Sequence, residues 1–167
     1  GGASITRETA EKCIQEQIKL APCYGSTETA AMVTSLKPKE FLMGFENVGE
    51  ILPDTKIRIN EQGLIEIKSA RIGIEIIDSS KTENFKNKNG WWQTGDLGEI
   101  NQINNSLYLK FIGRIDNAFN SGGEIVFPEV IESRLNDFIM KENIPINKFN
   151  ISKVPDKLWG NKIKIIV

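Results

Sequence analysis

The stretch GRIDNAFNSGGEIVFPEVIE, residues 113–132, decides the fold of this chain. An apolar, strand-like run ends at Gly113-Arg114, and a polar link follows it. The glycine pair Gly122-Gly123 predicts a turn, and Pro128 opens a helical pattern at the position where its missing N–H costs little. Such a polar link between two structured runs is typical of a boundary or hinge. An ordinary strand–turn–helix connection explains it about equally well.

Composition narrows the class of protein. The 167 residues suffice for one domain or for pieces of two. With 21 basic and 22 acidic residues the net charge is −1, so nothing favours nucleic acid or an anionic membrane as partner. No apolar run approaches the about 18 residues of a membrane-spanning helix, and we expect no signal peptide. Two cysteines suggest no disulfide framework, so we expect a cytoplasmic protein.

The absence of histidine limits the chemistry. Without an imidazole base, this piece supports neither Ser–His nor Cys–His nucleophilic catalysis.

Hydrophobic periodicity and turn residues predict alternating helices and hairpins, hence an α+β fold. The predicted elements are a helix over 6–20 capped by Ser4 or Thr6, a long irregular connection over 35–54, a hairpin over 55–68, a possible strand in 70–78, a surface loop over 79–90, a second hairpin over 97–112, a helix over 129–140, a strand ending at 154, a turn at Pro155-Asp156 and a final strand over 163–167.

The segment Tyr24-Gly25-Ser26-Thr27-Glu28 has the residue types of a phosphate site. Gly25 permits close approach of a ligand to the backbone, and the hydroxyls of Ser26 and Thr27 can open a short helix that favours an anion. Glu28 offers a hard oxygen to a cation such as Mg²⁺. A turn capped by a serine or threonine, with an acidic residue in its first turn, explains the same residues.

A second polar segment, Thr94-Gly95-Asp96, follows the pair Trp91-Trp92. The two large rings predict core packing. Asp96 follows a glycine and is expected to precede a strand, where its carboxylate can accept the two hydroxyls of a ribose. Capping of a turn is the alternative role.

These three segments together resemble the adenylate-forming enzymes, the acyl-CoA synthetase superfamily. The Gly113-Arg114-Ile115-Asp116 element is similar to the family's hinge, and Tyr24 to Glu28 and Thr94 to Asp96 resemble two upstream motifs in the expected order. The resemblance implies the β-rich end of the large N-terminal AMP-binding domain over residues 1–115. It implies the first part of a small, mobile α+β C-terminal domain over 116–167.

The resemblance also assigns roles to residues. It implies that Tyr24 stacks on adenine, that Thr27 contacts the α-phosphate, that Glu28 holds Mg²⁺ and that Asp96 binds the ribose. Gly25 would belong to the same nucleotide site.

Two further groups of residues take roles from the resemblance. It places Gly2 and Ala3 among the cofactor-binding residues, Arg114 on the ribose or phosphate, and Asp116 at the hinge. The pair Gly122-Gly123 would let the pantetheine chain of coenzyme A pass close to the backbone.

The implied reaction joins a small carboxylic acid to coenzyme A in two steps, with ATP and Mg²⁺. Thr27-Glu28-Thr29-Ala30, Leu36-Lys37-Pro38 and Phe41-Leu42 are similar to the o-succinylbenzoate–CoA ligases of menaquinone and phylloquinone synthesis. Another aryl or fatty acid as substrate stays open, as does a non-catalytic nucleotide-binding module of the same fold.

Two family features are missing from the chain. It has no Ser/Thr/Gly-rich phosphate loop, and neither Lys162 nor Lys164 stands in the context of the family's terminal lysine. We therefore expect a C-terminal fragment of a longer enzyme that is inactive by itself. The oligomeric state is not predicted.

Overall fold

The computed structural model describes residues 5–78, 81–146 and 148–167, with the backbone alone at 76–78 and 81–83. The chain forms two compact units, Gly1–Phe111 and Ile112–Val167. Helices and a large antiparallel sheet are both present, so the predicted α+β class is confirmed. No helix in the described ranges is long and apolar enough to cross a membrane.

The first unit is built mainly from strands. Its elements are α1 (Arg7–Gln15), β1 (Cys23–Ser26), a 3₁₀ turn (Thr27–Thr29), β2 (Ala31–Ser35), α2 (Pro38–Leu42), β3 (Glu50–Ile51), β4 (Thr55–Ile59), β5 (Leu64–Ser69), β6 (Glu75–Asp78), β7 (Lys81–Asn84), β8 (Trp92–Ile103) and β9 (Ser106–Arg114), whose last residues belong to the second unit. Among the described residues, seven strands form one sheet in the order β1-β2-β3-β9-β8-β5-β4, and β6 pairs with β7.

The core of this unit lies against the sheet. Its buried members are Val33, Ile57, Ile65, Ile67, Ile72 and Leu109. The alternation of Ile57 and Ile59 and of Ile65 and Ile67 placed these side chains on one face, as period-two patterning requires. The predicted hairpin over 55–68 is therefore confirmed as β4 and β5. Trp92 also packs as predicted, edge-on to Phe85 with ring centroids 6.0 Å apart.

A second cluster packs α1 onto the sheet. The helical stripe of Ala10, Cys13 and Ile14 lies against a buried group formed by Leu36, Phe41 and Tyr108. Thr6 caps the helix, its side chain accepting the Thr9 N–H, which is one of the two predicted caps.

The predicted end of α1 is wrong. The helix ends at Gln15, and Gln17 takes a left-handed φ of 55°. The Ile18 N–H donates back to the carbonyl of Cys13, so the backbone closes the helix before Pro22 does.

The irregular connection predicted over 35–54 is also wrong in part. It contains α2, which begins at Pro38, and the two-residue strand β3. Neither is long enough to show a periodic pattern in the sequence. The second predicted hairpin is confirmed as β8 and β9, which are joined at Asn104 and Asn105 with φ of 47° and 69°.

The second unit consists of two hairpins and one helix. A 3₁₀ turn (Ile115–Asn117) precedes β10 (Phe119–Ser121), β11 (Glu124–Val126), α3 (Pro128–Lys141), β12 (Asn150–Asp156) and β13 (Gly160–Ile166). Pro128 is the first residue of α3, as predicted.

The turn predicted at Pro155-Asp156 lies instead between β12 and β13. Asp156 remains in β12, and its Oδ1 accepts the N–H groups of Trp159 and Leu158 at 3.1 and 2.9 Å. These two bonds, and then the Lys162 ammonium, hold the pKa of Asp156 below its usual value. The aspartate therefore starts the turn rather than occupying it.

Gly25 is required by the packing of β1 on β2. A Cβ added there would lie 2.1 Å from the carbonyl oxygen of Ala31 and 2.6 Å from Cα of Met32. Both are backbone atoms, so the strands would have to separate. The register shift between Tyr24 and Gly25 marks the same point.

Gly25→Ala is expected to lower the free energy of unfolding by about 3 kcal/mol or more, because the pairing of β1 with β2 must open. Gly44→Ala is the control. Its φ is +82° and nothing lies within 4 Å of its added Cβ, so backbone strain of about 1 to 2 kcal/mol is expected. Urea unfolding of both variants measures the difference. Equal destabilisation would show that β1 and β2 tolerate the methyl group.

Candidate functional site

Two of the residues singled out in the sequence meet directly. The Tyr24 hydroxyl donates to Asp96 Oδ2 at 2.6 Å, although 72 positions separate them. Asp96 is buried, with 7 % of its surface exposed. The Tyr24 ring is half-buried and lies 6.2 Å from the Phe111 ring, tilted by 31°. The first unit thus unites the two segments that the sequence linked to a nucleotide.

A bulge in β8 positions Asp96. Leu97 pairs with Leu64 and Gln93 with Glu66, so three residues, 94–96, stand opposite Ile65 alone. The Thr94 hydroxyl donates to the Ile65 carbonyl and accepts the Asp96 N–H, both at 3.0 Å. Gly95 supplies the positive φ, 77°. Bulges of this kind re-aim a side chain. The expectation that Asp96 precedes a strand is therefore wrong, because it lies within β8.

A side chain on the neighbouring strand β2 fixes the backbone of Tyr24. Its N–H donates to the Thr34 hydroxyl at 3.2 Å, and that hydroxyl donates to the Val48 carbonyl at 2.5 Å. Thr34 is fully buried. The sequence analysis missed Thr34, because a threonine in a short strand looks like any other strand residue.

Thr27 and Glu28 lie in the 3₁₀ turn after β1. The Thr29 hydroxyl closes this turn by accepting the Ser26 N–H at 2.9 Å and donating to the Ala31 carbonyl at 2.6 Å. Thr27 is exposed, Glu28 is half-buried, and the Glu28 carbonyl accepts the Gly73 N–H at 2.9 Å. The local structure is the capped turn, and it presents the Thr27 side chain to solvent.

The side chains near Glu28 show how this turn could hold Mg²⁺. Within the described residues, no three His, Cys, Asp or Glu side chains come together as a metal site. A protein often binds Mg²⁺ through one or two carboxylates and leaves the other positions to water and substrate phosphates. Glu28 offers one carboxylate, which suits Mg²⁺ held mainly by water and substrate phosphates.

The hinge segment, residues 113–116, lies in the second unit. Arg114 Nη2 lies 2.7 Å from Asp116 Oδ2, and both side chains are exposed. Asp116 is the middle residue of the 3₁₀ turn, and Asn117 Nδ2 donates to Glu129 Oε1 of α3 at 2.5 Å. The hinge role of Asp116 and the ligand role of Arg114 stay predictions.

The two glycines of the β10–β11 turn differ in their surroundings. A Cβ on Gly122 would lie 2.3 Å from Cε3 of Trp159, and the Gly122 N–H donates to the Trp159 carbonyl at 3.0 Å. Nothing lies within 4 Å of a Cβ on Gly123. Trp159 was not singled out in the sequence, where its only signal is its position beside Gly160 in a turn.

The remaining predicted residues, Gly2 and Ala3, lie outside the described residues. Their place in a cofactor site stays a prediction.

Tyr24→Phe is expected to lower the free energy of unfolding by about 1.5 to 3 kcal/mol, because a hydrogen bond to a buried carboxylate is lost. Tyr108→Phe provides a matched comparison in the same unit. There the hydroxyl donates to Glu40 Oε1 at 2.6 Å, and this bond raises the pKa of Tyr108 to about 12. Urea unfolding measures both. No loss in Tyr24→Phe alone would mean that the Tyr24 hydroxyl does not hold Asp96.

Relatives of known name match nearly the whole chain, although no protein-family model matches it. A 2-succinylbenzoate–CoA ligase of Listeria monocytogenes is 29 % identical over 162 residues, which are 96 % of this chain and 33 % of the relative. The Bacillus subtilis protein of that name is 25 % identical over 169 residues and is covered to the same extent. The chain thus spans about a third of the length of the curated relatives it matches.

Solved structures agree with these relatives. Wild-type E. coli MenE, with a bound analogue of OSB-AMS, is 27 % identical with a TM-score of 0.75, over 99 % of this chain and 34 % of that one. A variant of E. coli MenE with bound OSB-AMS is 28 % identical with a TM-score of 0.76, at the same coverage. The resemblance seen in the motifs is confirmed: over nearly its whole length, this chain is similar to about a third of a 2-succinylbenzoate–CoA ligase of the adenylate-forming superfamily.

Proposed function

We propose that the protein to which this chain belongs is an AMP-forming acid–CoA ligase that acts on 2-succinylbenzoate. The observation that carries the proposal is the 2.6 Å bond between Tyr24 and Asp96, which unites two motif segments of the adenylate-forming enzymes at one buried carboxylate. The relatives supply the acid, since they are named for it. The proposal includes a cytoplasmic reaction in menaquinone or phylloquinone synthesis.

The reaction proceeds in two substitutions. First, a carboxylate oxygen of the acid attacks the α-phosphorus of ATP. The P–O bond to pyrophosphate breaks, and an acyl-adenylate forms. The thiolate of coenzyme A then attacks the acyl carbon, the bond to AMP breaks, and the thioester remains. The first step depends on neutralising charge rather than on covalent help from the protein.

The buried carboxylate of Asp96 is the group proposed to bind the ribose. A carboxylate can accept hydrogen bonds at both oxygens, and the Tyr24 hydroxyl donates to Oδ2. The two ribose hydroxyls would donate to this carboxylate. The Tyr24 ring, half-buried and tilted against Phe111, would present its other face to adenine.

The turn after β1 would meet the α-phosphate. Thr27 is exposed there, and the buried Ser26 hydroxyl oxygen has no hydrogen-bond partner among the described atoms. A phosphate oxygen would supply such a partner. Glu28 would hold Mg²⁺, which bound there neutralises phosphate charge.

The second unit would contribute to the thioester step. Arg114, already exposed, would contact ribose or phosphate, and Asp116 would change conformation between the two steps. Of the two glycines, Gly123 offers open space for the pantetheine chain, whereas the Trp159 ring already occupies the space beside Gly122. The proposed backbone contact with coenzyme A therefore rests mainly on Gly123.

Acid-dependent AMP formation by the full-length protein tests the proposal. The acids are 2-succinylbenzoate, benzoate and a medium-chain fatty acid, each with ATP, Mg²⁺ and coenzyme A, and reactions without acid serve as blanks. We expect 2-succinylbenzoate to be preferred by at least about tenfold in kcat/KM. Preference for another acid would move the protein to a different ligase. Binding of ATP without any AMP formation would indicate a non-catalytic nucleotide-binding module.

Asp96→Ala in the full-length protein is expected to raise the KM for ATP by about tenfold or more. Its physical reason is the loss of two ribose hydrogen bonds to a carboxylate, worth about 1.5 to 3 kcal/mol each. The measurement is steady-state kinetics with varied ATP, and circular dichroism checks the fold. An unchanged KM in a folded variant would leave Asp96 as a structural partner of Tyr24.

Asp116→Pro in the full-length protein is expected to affect the two half-reactions unequally. Proline fixes φ near −65°, which suits the 3₁₀ turn and prevents a second backbone conformation. We expect adenylation to stay within about tenfold, and thioester formation from preformed acyl-adenylate to fall more than about a hundredfold, or about 2.7 kcal/mol of barrier. Single-turnover kinetics measure each step.

Asp116→Ala is the matched control, because it removes the ion pair with Arg114 without restricting φ. It should retain both steps to a similar degree. If the alanine variant shows the same unequal loss, the carboxylate and not the backbone is responsible. Equal loss of both steps in a folded Asp116→Pro variant would mean that Asp116 is not the hinge.

A further inference from the structure

A cavity on the first unit, away from the Tyr24–Asp96 site, is lined by three lysines. It has a volume of about 400 Å³ and opens to solvent between the β4–β5 hairpin and the segment before β8. Its lining contains Lys56, Lys68 and Lys86, and Asp54 is the one acidic residue among the lining residues described. A volume of this size accommodates a small ligand.

The charge of Asp54 is already neutralised. Arg71 Nε lies 2.7 Å from Asp54 Oδ2, and Arg71 Nη2 donates to Oδ1 at 3.1 Å. Arg71 is further held by its bond to the Met32 carbonyl at 2.8 Å. Three of the lining residues therefore carry a positive charge that no lining carboxylate is free to offset.

Two of these lysines stand directly opposite each other. Lys56 on β4 pairs with Lys68 on β5, and like charges in such a cross-strand pair are destabilising. The next pair on the same face, Arg58 with Glu66, is complementary and forms an ion pair at 2.5 Å. The hairpin thus places opposite charges together at Arg58 and Glu66, and like charges together at the lysine pair that lines the cavity.

The positions of the ammonium groups are partly fixed. Lys68 Nζ donates to the Asn89 carbonyl at 2.9 Å, a bond that orients the group without removing its charge. In the part of the chain that the structure describes, neither Lys56 nor Lys86 forms an ion pair with a carboxylate.

We propose that this cavity is a binding site for a small anion with two or more phosphate groups. Three ammonium groups around an open depression suit the spread negative charge of linked phosphates, for which lysine acts as a point charge. The unfavourable Lys56–Lys68 pair becomes favourable once an anion lies between the two groups. Free pyrophosphate and the phosphate tail of a nucleotide share this chemistry.

Calorimetric titration of the 167-residue chain with pyrophosphate, without Mg²⁺ and at low ionic strength, tests the site. We expect saturable binding that Lys56→Gln/Lys86→Gln weakens by at least about tenfold, since charge attraction is the main contribution. Lys110→Gln removes an exposed lysine charge outside the cavity and should weaken binding less than about twofold. Equal weakening by both, or no saturable binding to the unmodified chain, would overturn the proposal.

Thermal stability gives a second readout. Without ligand, Lys56→Gln should raise Tm by about 1 to 3 °C, because repulsion across the hairpin is relieved. Pyrophosphate should raise the Tm of the unmodified chain and not that of the double variant. A fall in Tm for Lys56→Gln would mean that the lysine pair stabilises the hairpin and would overturn the ligand argument.

Thr27→Val separates this site from the proposed nucleotide site, because Thr27 is the residue proposed to contact the phosphate there and it does not line the cavity. It should leave pyrophosphate binding unchanged, even if binding of ATP is weakened. Loss of pyrophosphate binding in Thr27→Val would place the anion at the nucleotide site and overturn the second site. Titration with ATP in Asp96→Ala then tells whether a nucleotide tail or free pyrophosphate is preferred.

Discussion

The hydrogen bond from Tyr24 to Asp96 constrains the shape of the whole sheet in the first unit. Tyr24 lies on β1 at one edge, and Asp96 lies on β8, four strands away. With neighbouring strands about 4.8 Å apart, a flat sheet would separate them by about 19 Å, far more than the two side chains span. The sheet therefore cannot be flat between these strands. The two-residue strand β3 lies in that interval, and a single residue pair, Glu50 with Tyr108, joins it to β9.

The same constraint explains the irregular positions in β1 and β8. Thr94, Gly95 and Asp96 stand opposite Ile65 alone, and β1 shifts register at Gly25. Each irregularity lies beside one partner of the Tyr24–Asp96 bond. Because a bulge bends its strand and turns a side chain, the two bulges together bring the hydroxyl and the carboxylate to bonding distance. Packing of β1 on β2 thus gives Gly25 a structural role beside the ligand contact that its residue type suggested.

Charge is arranged differently at the two candidate sites. At the Tyr24–Asp96 site a buried carboxylate accepts a hydrogen bond from the Tyr24 hydroxyl, and the Tyr24 ring lies beside Phe111. At the lysine cavity Lys56 and Lys68 are exposed, Lys86 is half-buried, and the carboxylate of Asp54 is paired with Arg71. The first arrangement orients hydroxyl donors, whereas the second attracts anions without orienting them strongly. Their different chemistry allows the two sites to be probed independently.

The sequence alone determined much about this protein, because several of its signals are local. Alternation of isoleucines predicted the β4–β5 hairpin, Pro128 predicted the start of α3, and three short motifs in order indicated the superfamily. Tertiary structure decided the rest. The placement of Asp96 within β8 depends on the Thr94 bond to the distant Ile65 carbonyl. The contacts of Tyr24 with Asp96 and of Gly122 with Trp159 join positions far apart in the chain, so no local pattern reveals them.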